Sequence, residues 1–215
     1  MDVTYLMIPV LAFLVVIVFP YIRRGSRVRP LVIQSPSRLE PLVINSPRLG
    51  MLNLKGSGAS RMVTEDRSAI QGLFSSVDES TSTPPRSDVL FLYCDFGSDG
   101  HIAGTARSLR DIVRDSGAHV VIVASENSGK SCGAAAKPAG HGRADLVLTL
   151  ARKGDAFASF YRSLFGDMAR GVPMPVAWVR LAPQIPGLVQ VNCPDALFIC
   201  EAGQITFGYP PSPES

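Results

Sequence analysis

The chain has 215 residues, 21 lysines and arginines against 18 aspartates and glutamates, and a formal net charge of +3. Arg23, Arg24, Arg27 and Arg29 cluster near the N-terminus, so the remainder is close to neutral and offers no electrostatic case for a nucleic-acid partner. Cys94, Cys132, Cys193 and Cys200 form no CxxC pair and stand at no ligand spacing from a histidine. They predict reduced thiols in or near a core, with no zinc site.

From Tyr5 to Ile22 the sequence YLMIPVLAFLVVIVFPYI carries no charge. A run of roughly 18 apolar residues is about the length that crosses the hydrocarbon core as a helix. The arginines that follow favour a cytosolic position for the C-terminal side. A signal peptide would carry its positive charge before the apolar run and a small-residue cleavage site after it; here the order is reversed. Residues 5–22 are therefore expected to be a single transmembrane helix, with the domain beyond it cytoplasmic.

Residues 23–87 read as a disordered cytosolic linker. Gly, Ser, Pro and Arg recur, apolar residues come in short clumps, and STSTPPRS closes the stretch. Such a composition buries too little apolar surface to offset ordering the backbone. Within it lies a near repeat, PLVIQSPSRL at 30–39 and PLVINSPRL at 41–49. Two units cannot build a solenoid. They read either as a tandem duplication in a tether or as a pair of docking segments, with Ser35 and Ser46 as proline-directed phosphorylation candidates.

Residues 88–208 read as the folded domain, followed by a disordered tail over 209–215. VLFLYC (89–94) predicts a buried strand. A helix follows, carrying Ile102, Ala106, Leu109, Ile112 and Val113, opened by Ser98-Asp99 and stopped at Gly117. HVVIVA (119–124) and ADLVLTLA (144–151) predict two more strands, and Asp155 caps a helix with Phe157, Phe160, Tyr161, Leu164, Phe165 and Met168 on one face. PVAWVRL (175–181) and ALFICE (196–201) complete the set as a fourth and fifth strand. Strands apolar on both faces that alternate with amphipathic helices predict an α/β domain, a small doubly wound, mostly parallel sheet of TIR or flavodoxin-like order.

Four features could carry chemistry. Ala124 to Ser131, ASENSGKS, fits a loosened phosphate-loop pattern and makes Gly129, Lys130 and Ser131 weak cofactor-binding candidates. Such a loop needs a long helix behind it, but Pro138 and several glycines interrupt the segment CGAAAKPAGHGR. The later strand also runs into Arg152-Lys153 instead of an acidic metal ligand, so no nucleotide cofactor is expected. Asp95-Phe96-Gly97 copies a kinase tripeptide with none of its companions. His101, His119 and His141 lie apart, without an evident carboxylate or nucleophile partner. No catalytic residue and no metal ligand is expected.

Two resemblances add to this reading. Gly97-Ser98-Asp99-Gly100-His101 resembles the GSGGH turn of the membrane-anchored subunit of the transferase that adds the second N-acetylglucosamine to a dolichol-linked sugar, with Asp99 in place of a glycine. The longer stretch SDVLFLYCDFGSDGHIAGTARSLRDIVRDSGAHVVIV looks like the opening of a SEFIR domain, the TIR-like module in the cytoplasmic tails of interleukin-17 receptors. ADLVLTLARKGDAFASFYRSLF is similar to that family's third strand and following helix, and VAWVRLAPQIPGLVQV is placed like its fourth strand and the turn beyond. The family's acidic-tryptophan segment is replaced here by 128–142, and its Cys-Ser after the third strand by Ala151-Arg152.

The SEFIR likeness implies a non-enzymatic signalling module. Its partner would be a cytosolic adaptor or a receptor with a similar domain. The alternatives are the transferase subunit and, after it, a P-loop nucleotide-binding protein. A TIR-type NAD hydrolase would need a glutamate on the helix after the third strand, and the chain has none between Glu126 and Glu201.

Overall fold

The computed structural model describes residues 31–33, 41–126, 135, 144–151, 156–182 and 195–208. The expected membrane helix at 5–22, Ser35, Gly129, Lys130, Ser131, Cys132, His141, Asp155, Cys193 and the tail at 209–215 lie outside them. Among the described residues, no helix is long and apolar enough to cross a membrane.

The strands are β1 (Leu31–Ile33), β2 (Pro41–Asn45), β3 (Arg48–Asn53), β4 (Ser76–Ser80), β5 (Val89–Tyr93), β6 (Val120–Ala124), β7 (Asp145–Ala151), β8 (Asp195–Cys200) and β9 (Gln204–Gly208). The α-helices are α1 (Ser60–Ile70), α2 (Leu109–Ser116), α3 (Ala156–Ala169) and α4 (Met174–Leu181). Among the described residues, seven strands form one sheet in the order β1-β8-β7-β6-β5-β3-β4, while β2 and β9 pair apart from it. Pairing is parallel from β4 through β3, β5 and β6 to β7, and β8 alone runs antiparallel to its neighbour β7. The expected α/β class and mostly parallel sheet are therefore present.

Register explains how the two faces are filled. Met51, Phe91, Ile122, Val147 and Phe198 stand side by side across the sheet. On their face they meet α1, α3, α4 and β9 in the larger core. The next residue along each parallel strand, Leu52, Leu92, Val123 and Leu148, points the other way and packs in the core of α2. Phe91 is ringed by Phe157, Tyr161 and Phe165 at centroid distances of 6.0, 5.4 and 6.0 Å. Trp178 of α4 joins that cluster to the sheet through Phe160 at 5.4 Å and Phe198 at 5.3 Å. All but the tilted Trp178–Phe198 pair are edge-on, and edge-on aromatic contacts add about 0.5–1.5 kcal/mol each beyond area burial. Cys94 and Cys200 are buried thiols, and burial pushes the Cys200 thiol up to about 12.

Four expectations are corrected. Residues 41–80 are not a linker: they supply β2, β3, α1 and β4, and β3 lies inside the sheet between β4 and β5. Its Gly50 reads as linker composition but answers a packing need, because a Cβ there would stand 2.5 Å from Ser87 Oγ and 2.9 Å from Pro85 Cγ. The second Leu-Val-Ile unit is strand β2, with Ile44 buried, so it is no free docking segment.

The helix expected over 102–113 begins later. Ser108 caps α2, its hydroxyl accepting from the Asp111 N–H while the Asp111 side chain accepts from the Ser108 N–H, and Gly117 ends it at φ 69° as foreseen. PVAWVRL is helical, not a strand. Met174, Ala177 and Trp178 are buried at helical spacing, while Val176, Val179 and Arg180 face solvent. Its β-branched composition hides that period.

Asp145 sits at the start of β7 without solvent exposure. Its Oδ1 accepts the N–H groups of Glu201 and Ala202, each at 2.9 Å, and so fixes the bend from β8 to β9. Burial raises this carboxyl to about 6, outweighing those hydrogen bonds.

Two predictions follow from this architecture. Leu49→Ala should cost about 2–5 kcal/mol in urea unfolding, whereas a linker residue would cost nothing. For Asp145 the folded value exceeds the unfolded one, so the native state holds the extra proton between the two. Stability should fall as pH rises from 3.8 to about 6, by on the order of 3 kcal/mol. In Asp145→Asn that slope should flatten, as unfolding curves across this range would record.

Candidate functional site at the sheet crest

In an open parallel sheet, ligands bind beyond the carboxyl ends of the strands, where the strand order reverses. Here β3 is followed in the chain by β4 on one side and by β5 on the other, so the reversal lies between β3 and β5. We call this end of the sheet the crest.

Three strands place side chains there. After β3, Leu54 N–H continues the ladder to the Tyr93 carbonyl at 2.9 Å. Asn53 Nδ2 donates to the Gly56 carbonyl at 2.9 Å, and Lys55 N–H donates to Asn53 Oδ1 at 3.0 Å. These contacts shape the turn that turns the Lys55 ammonium towards β5. It lies 3.1 Å from Asp95 Oδ2, 3.2 Å from Asp95 Oδ1 and 3.6 Å from a Glu126 carboxylate oxygen. From the end of β6, the Ser125 hydroxyl and the Glu126 N–H each donate to Asp95 Oδ1 at 3.2 Å.

Asp95 thus ties together the ends of β3, β5 and β6. Partial burial disfavours its charge, but the Glu126 amide, the Lys55 ammonium and the Ser125 hydroxyl outweigh this and hold the carboxyl below its ordinary range.

Gly56–Ala59 forms a 3₁₀ turn that opens into α1, with Gly56 at φ 73° and no side-chain cap on the start of either element. Gly56, Ser57 and Gly58 are exposed. The sequence reading passed over Lys55 and this turn. A Gly-Ser-Gly one residue after the apolar run LGMLNL is a strand-to-helix signal, obscured by the Pro- and Ser-rich surroundings.

The Gly97-to-His101 turn lies between β5 and α2, where the sequence placed it, and it closes on itself. Gly97 N–H donates to the His101 carbonyl at 2.9 Å, and Ala103 N–H donates to the Asp95 carbonyl at 2.7 Å. Asp99 Oδ1 accepts the His101 N–H at 3.0 Å, and Asp99 Oδ2 stands 3.2 Å from His101 Nδ1. The His101 amide is the foremost of the donors that lower the Asp99 carboxyl. A Cβ at Gly97 would lie 2.7 Å from Asp99 Oδ1, so a larger residue there would displace the Asp99 side chain from its contacts with His101. Phe96 and Ile102 are buried beneath the turn.

Ser125 is buried and donates to Asp95, so its hydroxyl is not presented to a substrate. His101 pairs with Asp99 at the surface, whereas His119 lies before β6, at the opposite end of the sheet. Among the described residues no group of His, Cys, Asp and Glu could hold a metal ion. Of the loosened phosphate-loop pattern, Ala124 to Glu126 are described, and they serve the Asp95 network. Ser46 lies in the bend between β2 and β3 at φ 48°, with its N–H on the Gly208 carbonyl at 2.8 Å and its own carbonyl accepting from Ser75 Oγ at 2.7 Å.

Asp95→Asn should weaken the fold by about 1–2 kcal/mol, a charge-assisted set of hydrogen bonds discounted for a partly exposed carboxylate. Because folding lowers this carboxyl, its contribution is present above the unfolded value of 3.8 and disappears as pH falls through the lower folded value. Parallel unfolding curves should therefore differ at neutral pH and converge in acid.

No protein-family model matches the sequence, and a search of curated proteins found no match either.

Proposed function

We propose that the chain is a single-pass membrane protein that holds a small α/β domain at the cytosolic face for contact with other proteins of the same membrane. The uncharged run from Tyr5 to Ile22 and the arginines behind it support the anchor. The strand order β4-β3-β5-β6-β7 is the flavodoxin-like one, which suits the TIR-like class of module. The detailed SEFIR correspondence is looser. The segment it takes as a first strand is β5, with β3 and β4 before it in the chain, and the segment it takes as a fourth strand is helix α4.

The observation that carries the interaction reading over the transferase reading is the 96–108 loop. A sugar–nucleotide site would leave this loop concave and lined with glycine. Here Gly97, Ile102, Ala103 and Thr105 spend their N–H groups within the loop or on Asp95, and Ser98, Asp99 and His101 stand exposed. A second reading, a phosphate-bearing ligand on the Gly56–Ala59 turn, is favoured by the uncapped start of α1 at the strand reversal.

Leu14→Arg should cost about 2.5–3.5 kcal/mol of insertion free energy and shift the chain out of the membrane fraction; unchanged fractionation would refute the anchor. Thermal unfolding with ATP or a sugar nucleotide should show no shift in the full chain. A clear shift that Gly58→Val removes would instead establish the ligand reading.

A further inference from the structure

We infer that the crest faces the bilayer that holds the anchor. This rests on the anchored reading above. It follows from the direction of β1 and the length of chain before it. β1 pairs parallel to β8, and β8 runs antiparallel to β7. The residues entering β1 therefore come from the end of the sheet where β3, β5, β6 and β7 finish. Leu31 pairs with Phe198, which shares a row with Val147, Ile122 and Phe91. From that row, β5 needs only Leu92 and Tyr93 to reach the crest.

Ile22 and Leu31 are nine residue steps apart in the chain, and nine steps reach at most about 32 Å. Arg23, Arg24, Arg27 and Arg29 in this short span draw it towards anionic headgroups.

The surface at that end is suited to close approach. Gly56, Ser57, Gly58, Ala103, Gly104 and Thr105 are exposed there and carry no charge. Among the described residues of the crest, Lys55 is paired with Asp95 and Glu126, and His101 with Asp99. The opposite end exposes Arg48, Arg86 and Arg114, of which Arg48 pairs with Asp88 and Arg114 with Asp111 and Asp115. With the crest against lipid, the outer faces of α1, α3 and α2 are left for protein partners alongside.

The test uses the full chain in phosphatidylcholine–phosphatidylserine liposomes, with Cys132 and Cys193 replaced by serine. A fluorophore is placed on Ser98→Cys at the crest or on Arg86→Cys at the opposite end, and is quenched by nitroxide-headgroup lipid. Thr105→Cys and Arg114→Cys serve as a second pair if either label disturbs thermal unfolding. The crest labels should be quenched at least twofold more strongly. Equal quenching, or stronger quenching of the opposite end, in protein that floats with the liposomes would overturn the orientation alone. Protein that does not float would overturn the anchor, and the orientation with it.

Discussion

All five residues of β5, Val89 to Tyr93, are fully shielded from solvent, and they alternate between two separate cores. A strand buried on both faces can satisfy its backbone groups only through neighbouring strands, so β3 and β6 must flank it. Its side chains also demand cover on each face, which α1, α3 and α4 supply on one side and α2 on the other. The rest of the domain follows from meeting those two demands together. At the open end of the same strand, Asp95 performs a related task in polar form, gathering donors from β3 and β6 where the ladders stop.

Much of this was legible in the amino-acid order. VLFLYC, HVVIVA and ADLVLTLA announce strands because continuous apolar runs of that length suit a sheet covered on both sides. The aromatic face of α3 was equally plain. β3 was not, because Gly50 and the flanking Arg48 and Asn53 dilute its apolar signal, although Leu49, Met51 and Leu52 are fully buried or nearly so. β4, with the sequence SVDES, has no apolar pattern to find. As an edge strand it is paired on one side only, and its charged residues suit an edge that must not attract another chain.

The crest was half visible. The sequence located the Gly97–His101 turn and the loop after β6, the segments that carry two of the strands meeting at Asp95. It could not bring in Lys55, which follows a strand hidden in the apparent linker. Nor could it separate a phosphate-loop match from a chance one. The structure gives Ser125 and Glu126 another task, since their hydroxyl and amide stabilise a carboxylate. A loop spending those donors on an internal anion has fewer to offer an external one.

The parallel pairing of β1 with β8 and of β2 with β9 has a consequence for synthesis. Leu31 leaves the ribosome long before Phe198, and at translation speeds of about 5–20 residues per second the interval is roughly 10–30 s. Throughout that interval two Leu-Val-Ile segments have no native strand to pair with. Their flanking prolines, Pro30, Pro36, Pro41 and Pro47, break up the long apolar stretch that would make a nascent chain prone to aggregate. The repeat thus carries within its own sequence a safeguard for the period before its partner strands exist.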